Sequence, residues 1–188
     1  MDTMNDVKIV KLENKDVIEI IENAFSYVVA FGMLAYGVAK IIQFNGATDI
    51  NKTVSELTGM QLMWAFYGYS KPFVVILGIL EITGGILMLL KRTRILGCFL
   101  ATTILTNVIL QDIFYKVNVG ALRAAIIYQS LILVSLWFNR VRLLKALKIL
   151  TSPQIITNSK IDLFLKLLFS IILFVFLRIL EHYITMKW

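Results

Sequence analysis

The sequence predicts an all-α fold: a polytopic bundle of transmembrane helices with a four-helix core and a C-terminal fifth hydrophobic helix. Of the 188 residues, 59% are hydrophobic and only 16% are charged, and the mean hydropathy is +0.80. Such a chain is too apolar for a soluble domain of this length. The apolar residues also fall into five runs, each long enough to cross a bilayer core of about 30 Å as a helix.

The chain divides into three predicted parts. Residues 1–23 mix acids and lysines with aliphatic residues, which predicts a cytoplasmic amphipathic leader on the membrane surface or, equally, a solvated leader to the first span. Residues 24–150 hold four spans and an interfacial helix around 53–70. Residues 151–188 form a linker and a C-terminal transmembrane helix. No signal-peptide core is present near the start, so we expect the spans themselves to direct insertion.

The first span is predicted at 25–44, where Tyr36 and Lys40 are four residues apart and share a face. The segment 45–71 is too long for a simple turn, and its second half is rich in Trp and Tyr, which favour the membrane interface. We expect a surface helix here, capped at Thr53 or Ser55. A plain loop whose aromatic residues cover the bundle is the alternative.

The second span, 73–90, holds a carboxylic acid, Glu81, at its middle. An ionisable group at that depth is costly and normally faces the bundle interior with a partner. Gly78, Glu81 and Gly85 form one stripe of this helix, so the acid points where a neighbouring backbone comes close.

The remaining spans are predicted at 95–115, 121–138 and 161–184. A basic amphipathic stretch at 140–148 suits an anionic membrane surface. Arg178 and Glu181 lie three residues apart in the fifth span and are expected to pair.

Polar side chains on four spans fall at similar depths. Counted in residues from the outer ends of the spans, four of these side chains lie about 12 Å deep, namely Glu81, Asn107, Tyr128 and Gln129. Lys40 lies closer to the outer edge but within a lysine's reach of that layer. We predict a Lys40–Glu81 ion pair, with Asn107 and Gln129 completing the hydrogen bonds. Such a pair serves either as a structural lock between helices or as a ligand, ion or proton site, and spacing does not separate the two. The predicted binding or buried polar cluster comprises Lys40, Glu81, Asn107, Gln129, Tyr36 and Tyr128.

The turn between the third and fourth spans is flanked by Asp112 and Arg123, for which we expect a salt bridge at the external rim. Trp64, in the predicted interfacial helix, completes this rim.

The distribution of charge predicts topology. The formal net charge is +7, but the basic residues lie at the ends of apolar runs, which argues against nucleic-acid binding. Eleven Lys and Arg fall on the side of the amino terminus and five on the other. The positive-inside rule therefore predicts a cytoplasmic amino terminus and an external carboxyl terminus, in a bacterial inner membrane.

The chain has one cysteine, Cys98, and one histidine, His182. These numbers exclude an intramolecular disulfide, a CxxC redox pair and a bis-histidine haem within the chain. We therefore identify no catalytic and no metal-binding residues and expect no cofactor of the protein's own. A bound quinone or lipid remains compatible with the sequence.

Several short motifs together resemble DoxX-like membrane proteins. They are Gly37-Val-Ala-Lys40 in the first span, Glu81-Ile-Thr-Gly84-Gly85 in the second, and Arg92-Thr93-Arg94 before the third. The segment from Leu57-Thr-Gly-Met60 through Trp64-Ala-Phe-Tyr-Gly-Tyr-Ser70 resembles the subset in which a helix precedes the second span. The resemblance covers about residues 24–150 and implies a four-helix core related more distantly to MauE-type and Surfeit-type proteins.

This resemblance implies a function connected with membrane redox systems. DoxX-like proteins are linked to thiosulfate:quinone oxidoreduction, to complexes handling oxidative or thiol stress, and to maturation roles. Only Lys40 and Glu81 are carried over as family positions. Close relatives tend to have a histidine about where Gln129 stands, and no histidine occurs in these four spans.

Three functions are therefore expected from the sequence. The first is a non-catalytic subunit or helper of a membrane-associated redox or oxidative-stress complex. The second is a small transporter or binding protein for a hydrophobic or anionic solute, such as a quinone or lipid, with an open cavity beneath the Trp64–Tyr69 segment. The third is a quinone-linked oxidoreductase subunit. The expected partners are the lipid bilayer, a membrane or peripheral protein, and further copies of the chain.

Overall fold

The computed structural model describes residues 13–152 and 160–186, and every regular element in these ranges is helical. The expected fold, an all-α polytopic bundle, is confirmed. In chain order the helices are α1 (Asn14–Gln43), α2 (Gly59–Tyr69), α3 (Lys71–Leu89), α4 (Arg94–Tyr115), α5 (Val119–Phe138), α6 (Arg140–Thr151) and α7 (Lys160–Thr185). Five of them, α1, α3, α4, α5 and α7, are long and apolar enough to cross a membrane.

Four helices, α1, α3, α4 and α5, form an up-down-up-down bundle. Each packs against two neighbours, because α1 contacts α3 and α5 while α4 also contacts α3 and α5. Consecutive spans are joined by short turns, except for the segment between α1 and α3 that contains α2. The bundle therefore has an α2 end and an opposite end, where α1 and α4 begin.

The first helix begins earlier than the sequence predicts. It starts at Asn14 after a capping box between Glu13 and Asp16, so residues 14–23 continue directly into the span instead of forming a separate surface helix. The remaining part of the predicted leader, residues 1–12, lies outside the described residues. So do residues 153–159 of the predicted linker and the last two residues.

The helix expected before the second span is present as α2. Thr53 caps a short 3₁₀ turn, Val54–Glu56, through a reciprocal pair with Glu56. Thr58 then caps α2, because its hydroxyl accepts the backbone N–H of Gln61 at 3.2 Å. The helix packs on α3 and α4, and Gly59 lies so close to the end of α4 that a Cβ there would stand 2.5 Å from the Tyr115 carbonyl oxygen.

The closest approach within the bundle is between α1 and α3 and depends on two glycines. A Cβ on Gly78 would stand 2.6 Å from the Gly37 carbonyl oxygen, and a Cβ on Gly37 would stand 2.8 Å from that of Gly78. The predicted stripe of Gly78, Glu81 and Gly85 is buried in full. Without side chains at this crossing, the two backbones come into direct contact.

The opposite end of the bundle is joined by a buried arginine, Arg94, which is 4% exposed. Its guanidinium donates to the Met88 carbonyl at 3.2 Å and to the Asn23 side chain at 2.8 Å. It also lies 3.7 Å from the Glu22 carboxylate, which accepts a hydrogen bond of 2.8 Å from Asn139. Residues of three spans therefore meet in one hydrogen-bonded cluster that the sequence did not predict.

The chain divides into two compact units, Met1–Lys145 and Ala146–Trp188. In the second unit, α7 has a mean hydropathy of 2.6 over its spanning segment. The expected pair of Arg178 with Glu181 on this helix is confirmed.

The glycine crossing generates a first prediction. Gly78→Ala should destabilise the bundle by about 1–3 kcal/mol, because the added methyl group forces α1 and α3 apart. The matched control on the same helix is Gly84→Ala, whose Cβ would meet only ordinary contacts, the nearest at 3.5 Å. Thermal unfolding in detergent micelles should give a lower midpoint for the first variant only. Equal midpoints would contradict the close approach.

The Arg94 cluster generates a second prediction. Arg94→Met should destabilise the protein by about 3–5 kcal/mol, since it leaves the Glu22 carboxylate without its cation in a buried site. Lys91→Met removes a neighbouring ion pair, with Glu19, in which both side chains are mostly exposed, and should change stability little. The same unfolding assay compares the two variants, and similar midpoints would show that the cluster does not join the helices.

Candidate functional site

Lys40 on α1 and Glu81 on α3 form the expected ion pair. The Lys40 Nζ lies 3.2 Å from Glu81 Oε1, and the two side chains are only 14% and 6% exposed. Both residues stand one turn from the glycine crossing, Gly37 preceding Lys40 and Gly78 preceding Glu81, so the close backbone approach brings the two side chains together. A pair this deeply buried keeps its charge only if the remaining polar atoms also find partners.

A cavity of about 450 Å³ opens beside this pair, at the α2 end of the bundle. Its walls come from all four helices, from α2 and from the turn before α5. Most of the lining is apolar or aromatic. The polar and charged lining residues are Tyr36, Lys40, Gln43, Trp64, Tyr67, Glu81, Gln111, Asp112, Asn118 and Tyr128.

The α2 helix forms one wall of the cavity through its aromatic residues. Trp64 meets the Phe44 ring edge-on at 5.5 Å, and Tyr67 stacks on the same ring at 5.0 Å. Gln111 of α4 donates a hydrogen bond to the Tyr67 hydroxyl. Burial raises the pKa of Tyr67 above its ordinary value of 10, so its phenol is neutral at physiological pH.

Asp112 does not lie at an exposed rim, and the expected salt bridge with Arg123 is wrong. Asp112 is 7% exposed and lines the cavity together with Asn118 of the turn before α5. Lys116, in a left-handed conformation, ends α4, and the chain then folds back over Asp112. Arg123 is exposed on α5, so the two side chains face different surroundings.

Asn107 and Gln129 do not complete the hydrogen bonds of the ion pair, and that expectation is also wrong. Asn107 accepts from Gln111 at 3.1 Å, and Gln129 donates to Thr102 at 3.4 Å. Each lies one residue, about 100° of helix rotation, from a position that lines the cavity, Val108 and Tyr128 respectively. Residue counting gave their depth, but the rotation of each helix decides which side chains point inward.

Several polar atoms of the cavity have no hydrogen-bond partner. Among the described residues, six buried side-chain polar atoms are unpartnered, and four of them belong to residues that line the cavity. These four are Gln43 Oε1, Trp64 Nε1, Glu81 Oε2 and Asp112 Oδ2. Buried polar atoms in folded proteins are normally satisfied, so this concentration marks a place where a bound molecule can supply the missing partners.

Sequence reasoning missed several residues of the cavity, notably Gln43, Tyr67 and Gln111. Gln43 follows Lys40 by three residues and Tyr36 by seven, so its position on the same face of α1 was readable from the spacing. The roles of Tyr67 and Gln111 depend on how α2 lies against α4, which no local pattern predicts.

Comparison with known proteins matches the chain to one family and to one curated protein. Residues 18–121 match the family described as methylamine utilisation protein MauE. The chain is also similar to the uncharacterised protein YwoB of Bacillus subtilis (strain 168), with 31% identity over 119 residues that cover 62% of this chain and 75% of YwoB. No solved structure matches the chain. The family match fits the MauE-type relation implied by the sequence, whereas the closer DoxX-like assignment stays a prediction.

The matched region runs from the first turns of α1 through α4 to the start of α5, and it contains Lys40, Glu81 and Asp112 together with α2. Because it covers more than half of the chain, the protein belongs to the MauE family of membrane proteins.

Proposed function

We propose that this MauE-family protein is a non-catalytic accessory subunit of a membrane redox system, and that its own part is to bind a small amphipathic molecule in the cavity beside Lys40 and Glu81. The observation that carries the proposal is a cavity of about 450 Å³ whose walls hold most of the unpartnered buried polar atoms found in the described residues. The volume falls in the range of small-molecule sites, about 300–1,000 Å³.

A purely structural lock would leave a different pattern. An ion pair that only joins helices is stable when the remaining lone pairs of its carboxylate are satisfied by neighbouring donors. Here Glu81 Oε1 meets Lys40, while Glu81 Oε2 has no partner among the described residues. The pair therefore holds α1 and α3 together and also leaves one buried acceptor unsatisfied in a residue that lines the cavity.

The composition of the lining favours an amphipathic ligand. Met33, Leu105, Val108 and Ala125 supply apolar surface opposite the charged pair. A lipid or a quinone, the two classes expected from the sequence, would place its apolar part against this surface. An anionic solute is disfavoured, because the two carboxylates of the cavity outnumber its one ammonium group.

The accessory role follows from the chain's limited chemistry and its family. The one cysteine, Cys98, is buried at the end of the bundle away from the cavity, and the one histidine, His182, lies on α7. Electron transfer is then the task of a membrane or peripheral partner. The match to a family named for methylamine utilisation supports a partner that is an enzyme oxidising small molecules, or one that takes part in the maturation of such an enzyme.

The distribution of Lys and Arg supports a cytoplasmic amino terminus and an external carboxyl terminus, and the membrane we propose is the bacterial inner membrane. In that orientation the α2 end of the bundle, and with it the cavity, faces the outside of the cell.

The cavity generates a binding prediction. Ala121→Phe should lower the affinity for amphipathic ligands at least tenfold, because Ala121 lines the cavity and the added ring fills it. The probes are decylubiquinone and three six-carbon compounds, 1-hexanol, hexanoate and hexylammonium, measured by calorimetry on protein in lipid nanodiscs. Ile127→Phe is the matched control on the same helix, since Ile127 is 55% exposed and lies outside the cavity. Absence of binding by all four probes would overturn the proposed function.

The accessory role generates a cellular prediction. Deleting the gene should lower the oxidation of one electron donor by isolated membranes, tested with amine, thiosulfate and thiol substrates. Wild-type protein and Ile127→Phe should restore that activity, whereas Ala121→Phe, present at equal abundance, should not. Turnover by the purified protein alone would instead show that it is an enzyme.

A further inference from the structure

The cavity carries an excess of negative charge. Of the described residues that line it, the charged ones are Lys40, Glu81 and Asp112. Lys40 contacts Glu81 directly. No described basic side chain lies within ion-pair distance of Asp112. With all three groups ionised, the site therefore has a net charge of −1.

The unpartnered atoms of these two acids are acceptors in deeply buried side chains. Glu81 is 4% exposed and Asp112 is 7% exposed, and Glu81 Oε2 and Asp112 Oδ2 have no donor among the described residues. A carboxylate oxygen without a donor is poorly tolerated away from water. A ligand that donates hydrogen bonds and carries positive charge would supply the missing donors and balance the negative charge of the site.

The aromatic lining suits the same kind of ligand. Tyr36, Trp64, Tyr67 and Tyr128 border the cavity, and the faces of such rings attract cations. Lys40 makes a cation–π contact of this kind, with its Nζ 5.7 Å from the centre of the Phe44 ring. A quinone head group, in contrast, offers only acceptors and would leave both carboxylate oxygens unsatisfied.

We propose that the cavity binds an amphipathic primary amine as its ammonium ion. The inference rests on the proposed function and specifies its ligand class. The ammonium group donates hydrogen bonds to Glu81 Oε2 and Asp112 Oδ2 and neutralises the excess charge. The apolar part of the molecule packs against Met33, Leu105 and Ala125.

The test compares three probes of equal chain length on wild-type protein in lipid nanodiscs at pH 7. Hexylammonium should bind at least tenfold more tightly than 1-hexanol, and hexanoate should bind most weakly. Equal affinities for hexylammonium and 1-hexanol, or tighter binding of hexanoate, would overturn the inference while leaving ligand binding in the cavity intact. Failure of all three probes would overturn the inference, and failure of decylubiquinone as well would overturn the proposed function.

Charge-removing variants locate the binding site. Asp112→Asn should weaken hexylammonium binding at least tenfold more than it weakens 1-hexanol binding, because the amide keeps the size of the side chain but loses its charge. Asp49→Asn removes an exposed carboxylate outside the cavity and is the matched control. Should Asp112→Asn fail to fold, the comparison of the three probes on wild-type protein still decides the inference. Unchanged hexylammonium affinity in a folded variant would overturn the inference.

Discussion

The buried ion pair between Lys40 and Glu81 is the interaction on which the arrangement of the membrane bundle depends. An acid near the middle of an apolar helix cannot face lipid without a large cost, so α3 must turn Glu81 toward a neighbour that supplies a cation. The nearest such neighbour is α1, and the two helices meet where Gly37 and Gly78 let the backbones touch. Charge and close packing therefore select the same helix pair.

The two ends of the bundle use polar residues in different ways. At the end where α4 begins, the Arg94 guanidinium has partners on the chain for each of its nitrogens, and these partners belong to two other helices, α1 and α3. At the α2 end, Glu81 and Asp112 each keep an oxygen without a partner among the described residues. A fully satisfied network holds helices together, whereas an unsatisfied one lining a cavity is suited to a ligand.

The α2 helix is positioned by a few local residues and forms one side of this cavity. Thr58 and Gln61 fix where the helix begins, and Gly59 allows it to rest on the last turn of α4. Its aromatic residues then meet Phe44 at the end of α1 and close one side of the cavity. The segment lies within the region shared with the MauE family, as do all three charged residues of the cavity.

The sequence by itself determined the membrane class, the number of spans, the helix before the second span and the Lys40–Glu81 pair, because hydropathy, glycine spacing and the cost of a buried charge act locally or along one helix. It did not determine the partners of Asn107, Asp112 and Gln129. Those depend on how far each helix is rotated about its axis, and a single residue moves a side chain by about 100°. Only the tertiary structure placed Asp112 inside the cavity and Arg94 at the centre of a cluster, since both positions result from packing between helices that are distant in sequence.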